Sequence, residues 1–134
     1  MKLFLDTSFI VSYTVTKDKH YDKACLLDEQ GIFDNNCFIN NLVANEIVTV
    51  IGNKTKDVEL AINTYETVKD NCTIINEFNT VNFKEKVLAI YKEYNTVLSF
   101  TDSSIIEVMK ENNIKKLVSF DTFFDNVESI ERIY

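Results

Sequence analysis

The sequence predicts an α/β fold in a single domain spanning residues 1–134, with a parallel sheet of about five strands and helices on both faces. Short apolar runs alternate with longer stretches of helical periodicity along the whole chain. Hydrophobic residues make up 46% of the 134 residues, which is enough for one layered core. Proline is absent and glycine occurs only twice, so regular structure has few places to break.

The predicted strands are short apolar runs that stop at polar residues. The first spans residues 2–5 and ends at Asp6, as a buried strand that runs into a loop does. The next two are expected at residues 37–39 and 72–75. The fourth spans residues 117–120 and ends at Asp121, and residues 128–134 can form the last strand.

Apolar residues at helical spacing predict helices between these strands. Thr7 and Ser8 can cap the first helix, which carries Phe9 and Ile10 toward the core. The second helix covers residues 21–28 and stops at Gly31. The remaining helices are expected over residues 41–52, 58–68, 83–94 and 101–112.

The charge balance is acidic, with a formal net charge of −7 at pH 7. Taken alone, this charge disfavours nucleic-acid binding, which usually needs a basic surface. It does not exclude a nucleic-acid enzyme if many of the acids surround metal ions in one pocket. The lysines available to contact a phosphate backbone are Lys17, Lys19, Lys54, Lys56, Lys115 and Lys116.

The cysteines and the apolar runs indicate the compartment. Cys25, Cys37 and Cys72 are odd in number and widely spaced, which predicts buried free thiols rather than zinc ligands or a disulfide framework. Free thiols fit a reducing cytoplasm. The N-terminal apolar run is too short for a signal peptide, and no run of about 18 apolar residues predicts a membrane span.

Two acidic residues, Asp6 and Asp121, directly follow predicted strands. In a parallel α/β sheet, ligands bind at the carboxyl ends of the strands, near the point where the strand order reverses. The two carboxylates therefore converge if their strands are neighbours. Each residue also has a simpler interpretation, since Asp6 can cap the following helix and Asp121 can be a turn residue.

Two more acids, Asp102 and Glu46, lie on apolar faces of predicted helices. Asp102 shares a face with Ile105 and Met109, and Glu46 lies between Val43 and Val50. A charge on an apolar face costs several kcal/mol unless something pairs with it, and neither acid has a basic residue three or four positions away. Both are therefore predicted as ligands. Asp102 can alternatively be a first-turn acid favoured by the helix dipole, and Glu46 a solvated helix residue.

Four converging carboxylates raise one another's pKa and need a cation to stay ionised. Hard oxygen ligands select Mg²⁺ or Mn²⁺, which keep several waters and bind substrate phosphates. Such ions can prepare a water for attack on a phosphodiester and stabilise the leaving oxygen. The residues thus predict a phosphodiesterase site, without separating RNA from DNA.

The ordered motifs resemble those of PIN-domain ribonucleases, specifically the VapC-type toxins of prokaryotic toxin–antitoxin pairs. The matching segments are Leu5–Ser8, Asn45–Ile47, Phe100–Ile106 and Ser119–Asp125, and their order and spacing cover essentially the full chain. The resemblance implies a three-layer PIN-like fold and a metal-dependent endoribonuclease. It also implies a cognate antitoxin that restrains the enzyme, and homodimers are common among such proteins.

The resemblance implies roles for individual residues as well. Asp6 and Asp102 would be the principal ligands of one or two Mg²⁺ or Mn²⁺ ions, and Glu46 and Asp121 would complete the acidic site. Ser119 matches a position that often carries a hydroxyl near the site.

Other positions are less well defined by the resemblance. Asp125 would be an auxiliary acid. Relatives often carry a basic residue soon after the mid-chain glutamate, whereas the first one here is Lys54. His20, the only histidine, is expected at the surface beside Lys19 rather than as a catalytic base. Substrate contacts by Lys17, Lys54, Lys56 or Lys115 are possible assignments.

Other site classes fit the sequence less well. A phosphatase of the haloacid-dehalogenase type needs a second Asp where the chain has Ser8, and a metal-dependent adhesion site needs Ser where it has Ile10. A response-regulator receiver needs an acidic pair near the end of the first strand. A PIN-like nuclease with a housekeeping role in RNA processing and a non-catalytic PIN-like module that binds RNA or protein remain as alternatives.

Overall fold

Five short strands form one sheet at the centre of the computed structural model, which describes residues 1–134. The sheet order is β3-β2-β1-β4-β5, and every neighbouring pair is parallel. The strands are β1 (Lys2–Leu5), β2 (Asn36–Asn40), β3 (Thr73–Ile75), β4 (Lys116–Val118) and β5 (Glu131–Ile133). The predicted parallel α/β fold is confirmed.

Six α-helices connect the strands. They are α1 (Thr7–Thr14), α2 (Tyr21–Glu29), α3 (Asn41–Thr55), α4 (Val58–Asn71), α5 (Phe83–Glu93) and α6 (Phe100–Glu111). The connections through α1–α4 run across the sheet in one direction, and the connection through α5 and α6 returns in the other. Because such crossovers are right-handed, the two groups of helices cover opposite faces. None of the helices has the length and apolar character that a membrane span requires.

The central strand β1 lies in the middle of the hydrophobic core. Leu3, Phe4 and Leu5 are at most 1% exposed, and Phe9 of α1 and Leu117 of β4 are fully buried with them. Full burial of each such side chain contributes about 1.5–3 kcal/mol relative to exposure. A strand that is buried on both faces has a continuous run of apolar residues, so the sequence of residues 3–5 predicts this strand.

Helix α3 corrects one sequence-based boundary. The prediction ended this helix near Gly52, but it continues to Thr55 and ends at Lys56, whose φ of 56° is left-handed. Gly52 faces α4, where a Cβ atom would lie 4.0 Å from Cβ of Ala61. That distance is an ordinary van der Waals contact, so Gly52 is part of the interface between the two helices rather than a helix end. Because α3 continues to Thr55, Lys54 is a helical residue.

Helix α1 corrects a second expectation. Thr7 and Ser8 do not cap it, because both lie in its first turn. Asp6 occupies the N-cap position with an extended backbone, and its side chain makes no capping hydrogen bond.

Three short 3₁₀ segments were not predicted: Ile32–Asp34, Glu77–Asn79 and Thr122–Asn126. Segments of this length show no hydrophobic periodicity.

The cysteines are free, as predicted, but the expectation that all three are buried is wrong. Cys37 is buried, whereas Cys25 and Cys72 are half-buried.

Candidate active site

A cleft of about 370 Å³ lies at the carboxyl ends of β1 and β4. These strands are neighbours, with Leu5 opposite Val118, and the strand order reverses between them. The backbone N–H of Asp6 donates to the carbonyl of Val118 at 3.0 Å, which extends the pairing to the edge of the cleft. The condition for convergence of Asp6 and Asp121 is therefore met, although the expectation that the fourth strand spans residues 117–120 is wrong: β4 ends at Val118, three residues before Asp121. The structure brings four predicted site residues to this cleft: Asp6, Glu46, Asp102 and Asp121.

Asp6 is 4% exposed, and two hydroxyl groups hold one of its carboxylate oxygens. Ser119 Oγ donates to Oδ2 at 2.6 Å, and Ser8 Oγ donates to the same oxygen at 2.8 Å. Oδ1 receives no hydrogen bond from the protein. It is not fully buried, because the one buried side-chain polar atom without a partner is Thr7 Oγ1. One oxygen of Asp6 is thus fixed, and the other remains available to a ligand.

The two serines also bind the chain that leaves β4. Ser8 Oγ accepts a hydrogen bond from the N–H of Phe120 at 3.1 Å, and Ser119 Oγ accepts one from the N–H of Asp121 at 3.0 Å. Each hydroxyl therefore donates to Asp6 and accepts from the backbone. This arrangement orients the Asp6 carboxylate relative to the segment that carries Asp121.

Burial raises the pKa of Asp6 to about 6, although the hydrogen bonds from Ser119 and Ser8 oppose the rise. Repulsion from Asp102 and Glu46 adds to it. The ionised form of Asp6 is costly because the carboxylate is buried and lies in the negative field of its acidic neighbours. A bound cation would remove that cost.

Asp102 has two functions in the structure. It is the third residue of α6, and its carboxylate accepts from the N–H of Ser99 at 3.1 Å while Ser99 Oγ accepts from the N–H of Asp102 at 3.0 Å. This capping box makes the first-turn interpretation correct. Asp102 also lines the cleft. Burial raises its pKa, and repulsion from Asp121 and Glu46 adds to the rise, while the hydrogen bonds with Ser99 oppose it.

Glu46 lies on the half-buried face of α3 and lines the cleft. The position of its helix is fixed by Asn40, which is fully buried. The side chain of Asn40 accepts from the N–H of Val43 at 2.9 Å and donates to Ser104 Oγ of α6 at 3.0 Å. This link from α3 to α6 holds the helices of Glu46 and Asp102 together.

Asp121 precedes the 3₁₀ segment Thr122–Asn126 and accepts from the N–H of Phe123 at 3.0 Å. The turn interpretation is therefore correct for one of its oxygens, and the residue also lines the cleft.

None of the four acids belongs to an ion pair. The sequence showed no basic residue three or four positions from Glu46 or Asp102, and in the fold no distant basic residue forms an ion pair with them either. Clustered carboxylates that form no ion pair are the electrostatic setting of a cation site.

The donor set fits a hard divalent cation such as Mg²⁺ or Mn²⁺. All four candidate ligands supply carboxylate oxygens, and Asp6 keeps one oxygen unbonded. No three acidic, histidine or cysteine side chains are arranged as a closed metal-binding group. Mg²⁺ does not require such a group, because it usually keeps several waters and contacts only one or two carboxylates directly.

A further polar group in the cleft wall lacks a partner. Thr7 is 6% exposed, and its Oγ1 is the one buried side-chain polar atom without a hydrogen bond. An unsatisfied buried hydroxyl costs about 1–3 kcal/mol, so such groups are usually satisfied by water or a ligand.

The cleft is also lined by residues other than the four acids; the sequence offered Lys19 and Lys54 as phosphate contacts but gave Asp18 and His20 no role in a site. Asp18, Lys19 and His20, from the connection between α1 and α2, line the cleft together with Lys54 of α3. His20 is half-buried, lines the cleft and stacks on Phe120. It lies at the protein surface, as expected, but its place in the cleft was not predicted. No periodicity marks a connecting loop, and only the fold reveals this proximity.

Several candidates lie outside the cleft. Asp125 is exposed, and its two oxygens accept from Arg132 at 2.7 and 2.9 Å, so it does not join the acidic cluster. Lys17, Lys56 and Lys115 are exposed and do not line the cleft, whereas Ser119 acts through its bond to Asp6.

The chain resembles a known family in sequence and known proteins in fold. A PIN domain family model matches residues 3–130. No curated protein is significantly similar to it in sequence.

Solved structures with the same fold include toxins. VapC20 of Mycobacterium tuberculosis, described as a sarcin–ricin loop cleaving toxin, superposes with a TM-score of 0.82 at 18% identity, over 94% of this chain and 95% of that one. VapBC2 of Rickettsia felis, bound to a DNA fragment from its promoter, gives 0.70 at 16% identity, over 99% and 98%. PAE2754 of Pyrobaculum aerophilum gives 0.68 at 16% identity, over 98% and 89%.

At these identities the structural likeness concerns the fold. The family model, in contrast, matches nearly the whole length of the sequence. The chain belongs to the PIN domain family.

Proposed function

We propose that this chain is a divalent-metal-dependent endoribonuclease that hydrolyses RNA phosphodiester bonds. One observation carries the proposal. Asp6, Glu46, Asp102 and Asp121 line a single cleft at the point where the strand order reverses, and none of them has a cationic partner. Membership of the PIN domain family supports the same activity.

Each acid of the cleft has its own proposed role in the reaction. Asp6 offers one oxygen to a cation while Ser119 and Ser8 hold the other. Asp102 and Asp121 add charge to the same cleft, and Glu46 belongs to no ion pair and can orient the attacking water. A bound Mg²⁺ or Mn²⁺ would supply charge stabilisation at the phosphate and the leaving oxygen.

We also propose that the chain is the toxin of a type II toxin–antitoxin pair, acts in the cytoplasm, forms homodimers and is restrained by a cognate antitoxin. Support comes from the fold that it shares with VapC20 and VapBC2. Light scattering on the purified chain measures its oligomeric state. Induced expression with and without the neighbouring reading frame tests toxicity and neutralisation.

The activity is tested with purified protein and labelled RNA, in Mg²⁺, in Mn²⁺ and in EDTA. The substrates are an unstructured RNA and a ribosomal RNA fragment with the sarcin–ricin loop. Cutting should need the metal and be lost in Asp6→Asn, while Asp22→Asn, an exposed acid on α2, serves as the matched control. Metal-dependent cutting that survives in Asp6→Asn would refute the site. Metal binding without cutting of any RNA would favour a non-catalytic PIN-like module.

A further inference from the structure

Three basic residues, Lys19, His20 and Lys54, line the same cleft as the acids and are called the basic wall below. Lys19 and His20 end the connection between α1 and α2, and Lys54 lies in the last turn of α3. The chain carries a net charge of −7, so cations that share a cleft with the acidic cluster are a local exception to its overall charge.

Asp18 holds this wall in place. Its Oδ1 accepts from Ser12 Oγ at 2.8 Å and from the N–H of His20 at 2.9 Å. Its Oδ2 lies 3.5 Å from Lys54 Nζ. One carboxylate thus joins α1, the connecting loop and the end of α3, which fixes the spacing between His20 and Lys54.

His20 is held by a row of aromatic rings that begins in the core. Its ring stacks on Phe120, with centroids 4.6 Å apart and an interplanar angle of 18°. Phe120 meets the fully buried Phe9 edge-on at 6.3 Å. In the chain, Phe120 lies between Ser119 and Asp121, so the middle ring of this row belongs to the segment that carries the acidic site.

Lys54 lies on the same face of α3 as Glu46, with Val50 between them, and all three line the cleft. Eight residues of helix separate the two charged side chains by about 12 Å along the axis. Lys54 is 50% exposed while its partner Asp18 is 11% exposed, and their contact of 3.5 Å is long. The ammonium group therefore keeps donors that point to solvent.

We propose that this basic wall binds a nucleotide of single-stranded RNA beside the acidic cluster, with Lys54 contacting a phosphate and His20 stacking on a base. A positively charged groove combined with aromatic rings is the usual means of holding single strands. Unstacked bases of RNA are bound on aromatic and histidine side chains in the same way. Asp18 is the positioning residue of this subsite. The inference rests on the proposed ribonuclease function and names where its substrate strand lies.

Binding tests the subsite without requiring cleavage. In an Asp6→Asn background, fluorescence anisotropy measures the affinity for a labelled 12-nucleotide RNA of mixed sequence at several salt concentrations, with single-stranded DNA as a parallel arm. His20→Ala should weaken binding by about 10-fold, whereas His20→Phe should retain it, because a flat ring is kept. Lys54→Gln should weaken binding and lower the salt slope by about one, whereas Lys54→Arg should retain both.

Lys84→Gln, an exposed lysine of α5 outside the cleft, is the charge-matched control and should bind like the parent. Thermal melts confirm that each variant is folded. Equal affinity in His20→Ala, Lys54→Gln and the parent would overturn the subsite, even if the wild type cuts RNA. Loss of affinity in His20→Phe as large as in His20→Ala would contradict stacking. If the wild type cuts no RNA but the binding pattern holds, the subsite stands and the proposed activity fails.

Discussion

Ser119 Oγ lies 2.6 Å from Oδ2 of Asp6 and donates a hydrogen bond to it, although the two residues are 113 positions apart in the chain. Ser119 is fully buried directly after β4, and Asp6 directly follows β1. The bond therefore exists only because these strands are neighbours. Through it, the sheet sets the orientation and the ionisation of the central acid of the cleft.

Removal of this hydroxyl should raise the pKa of Asp6 further. In Ser119→Ala the ionised carboxylate loses one of its two hydroxyl donors, and a bond to a charged group stabilises by about 1.5–3 kcal/mol. The acid limb of the pH profile of RNA cleavage should therefore move to higher pH by about one unit or more. The exposed Ser129→Ala should leave the limb in place. If the acid limb does not move in Ser119→Ala, the ionisation of Asp6 is not the one that controls activity.

Asp6 should destabilise the metal-free protein at neutral pH. Its pKa in the folded state, about 6, is above the ordinary value of 3.8, so folding disfavours the ionised form. The penalty is absent below about pH 4, grows as the pH rises to about 6 and is then complete, at about 3 kcal/mol. Urea denaturation in EDTA should show Asp6→Asn more stable than the wild type at pH 7 and equal to it near pH 4. A stability difference that does not change with pH would contradict the burial argument.

Divalent metal should stabilise the fold in a manner that depends on pH. A cation binds the ionised carboxylates, so Mn²⁺ should raise the melting temperature more at pH 7.5 than at pH 5. EDTA should reverse the increase. The increase should disappear in Asp6→Asn and persist in Asp22→Asn. An equal metal-induced shift in wild type and Asp6→Asn would place the metal elsewhere.

Glu77 should be important for stability rather than for catalysis. It is fully buried, and its two oxygens accept from the N–H groups of Asn41 and Leu42, each at 3.0 Å, at the start of α3. Glu77→Gln removes the charge that favours a helix N-terminus and should cost about 2 kcal/mol in urea denaturation. Asp57→Asn, at the exposed cap of α4, should cost close to nothing because asparagine caps equally well. Equal costs for both variants would refute this role of Glu77.

The sequence was informative where one physical rule dominates. A buried strand that ends at an acid shows as an apolar run before Asp6, and parallel topology then implies that acids after neighbouring strands can meet. The same pattern extended the fourth strand too far, because β4 ends at Val118, three residues before Asp121. Helical periodicity likewise placed Glu46 on its face of α3. These inferences depend on patterns that extend over several residues.

Local hydrogen bonds and helix contacts leave no pattern of this kind in the sequence. The capping box of Asp102 gave it a structural function beside its place in the cleft. The end of α3 was misplaced because Gly52 reads as a helix terminator, whereas it packs against Ala61. The roles of Asp18 and His20 depend on where a loop folds back, which the sequence does not encode as periodicity.

The most direct test of the acidic cleft is the rate at which a single labelled RNA is cut under single-turnover conditions in Mn²⁺. The wild type is compared with Asp6→Asn, Glu46→Gln, Asp102→Asn, Asp121→Asn and the control Asp22→Asn. A metal-dependent nuclease centred on these four residues predicts rates lowered by at least roughly 100-fold in the four cleft variants, with the control unchanged. Wild-type rates in Asp6→Asn or Asp102→Asn, with the metal still required, would contradict it.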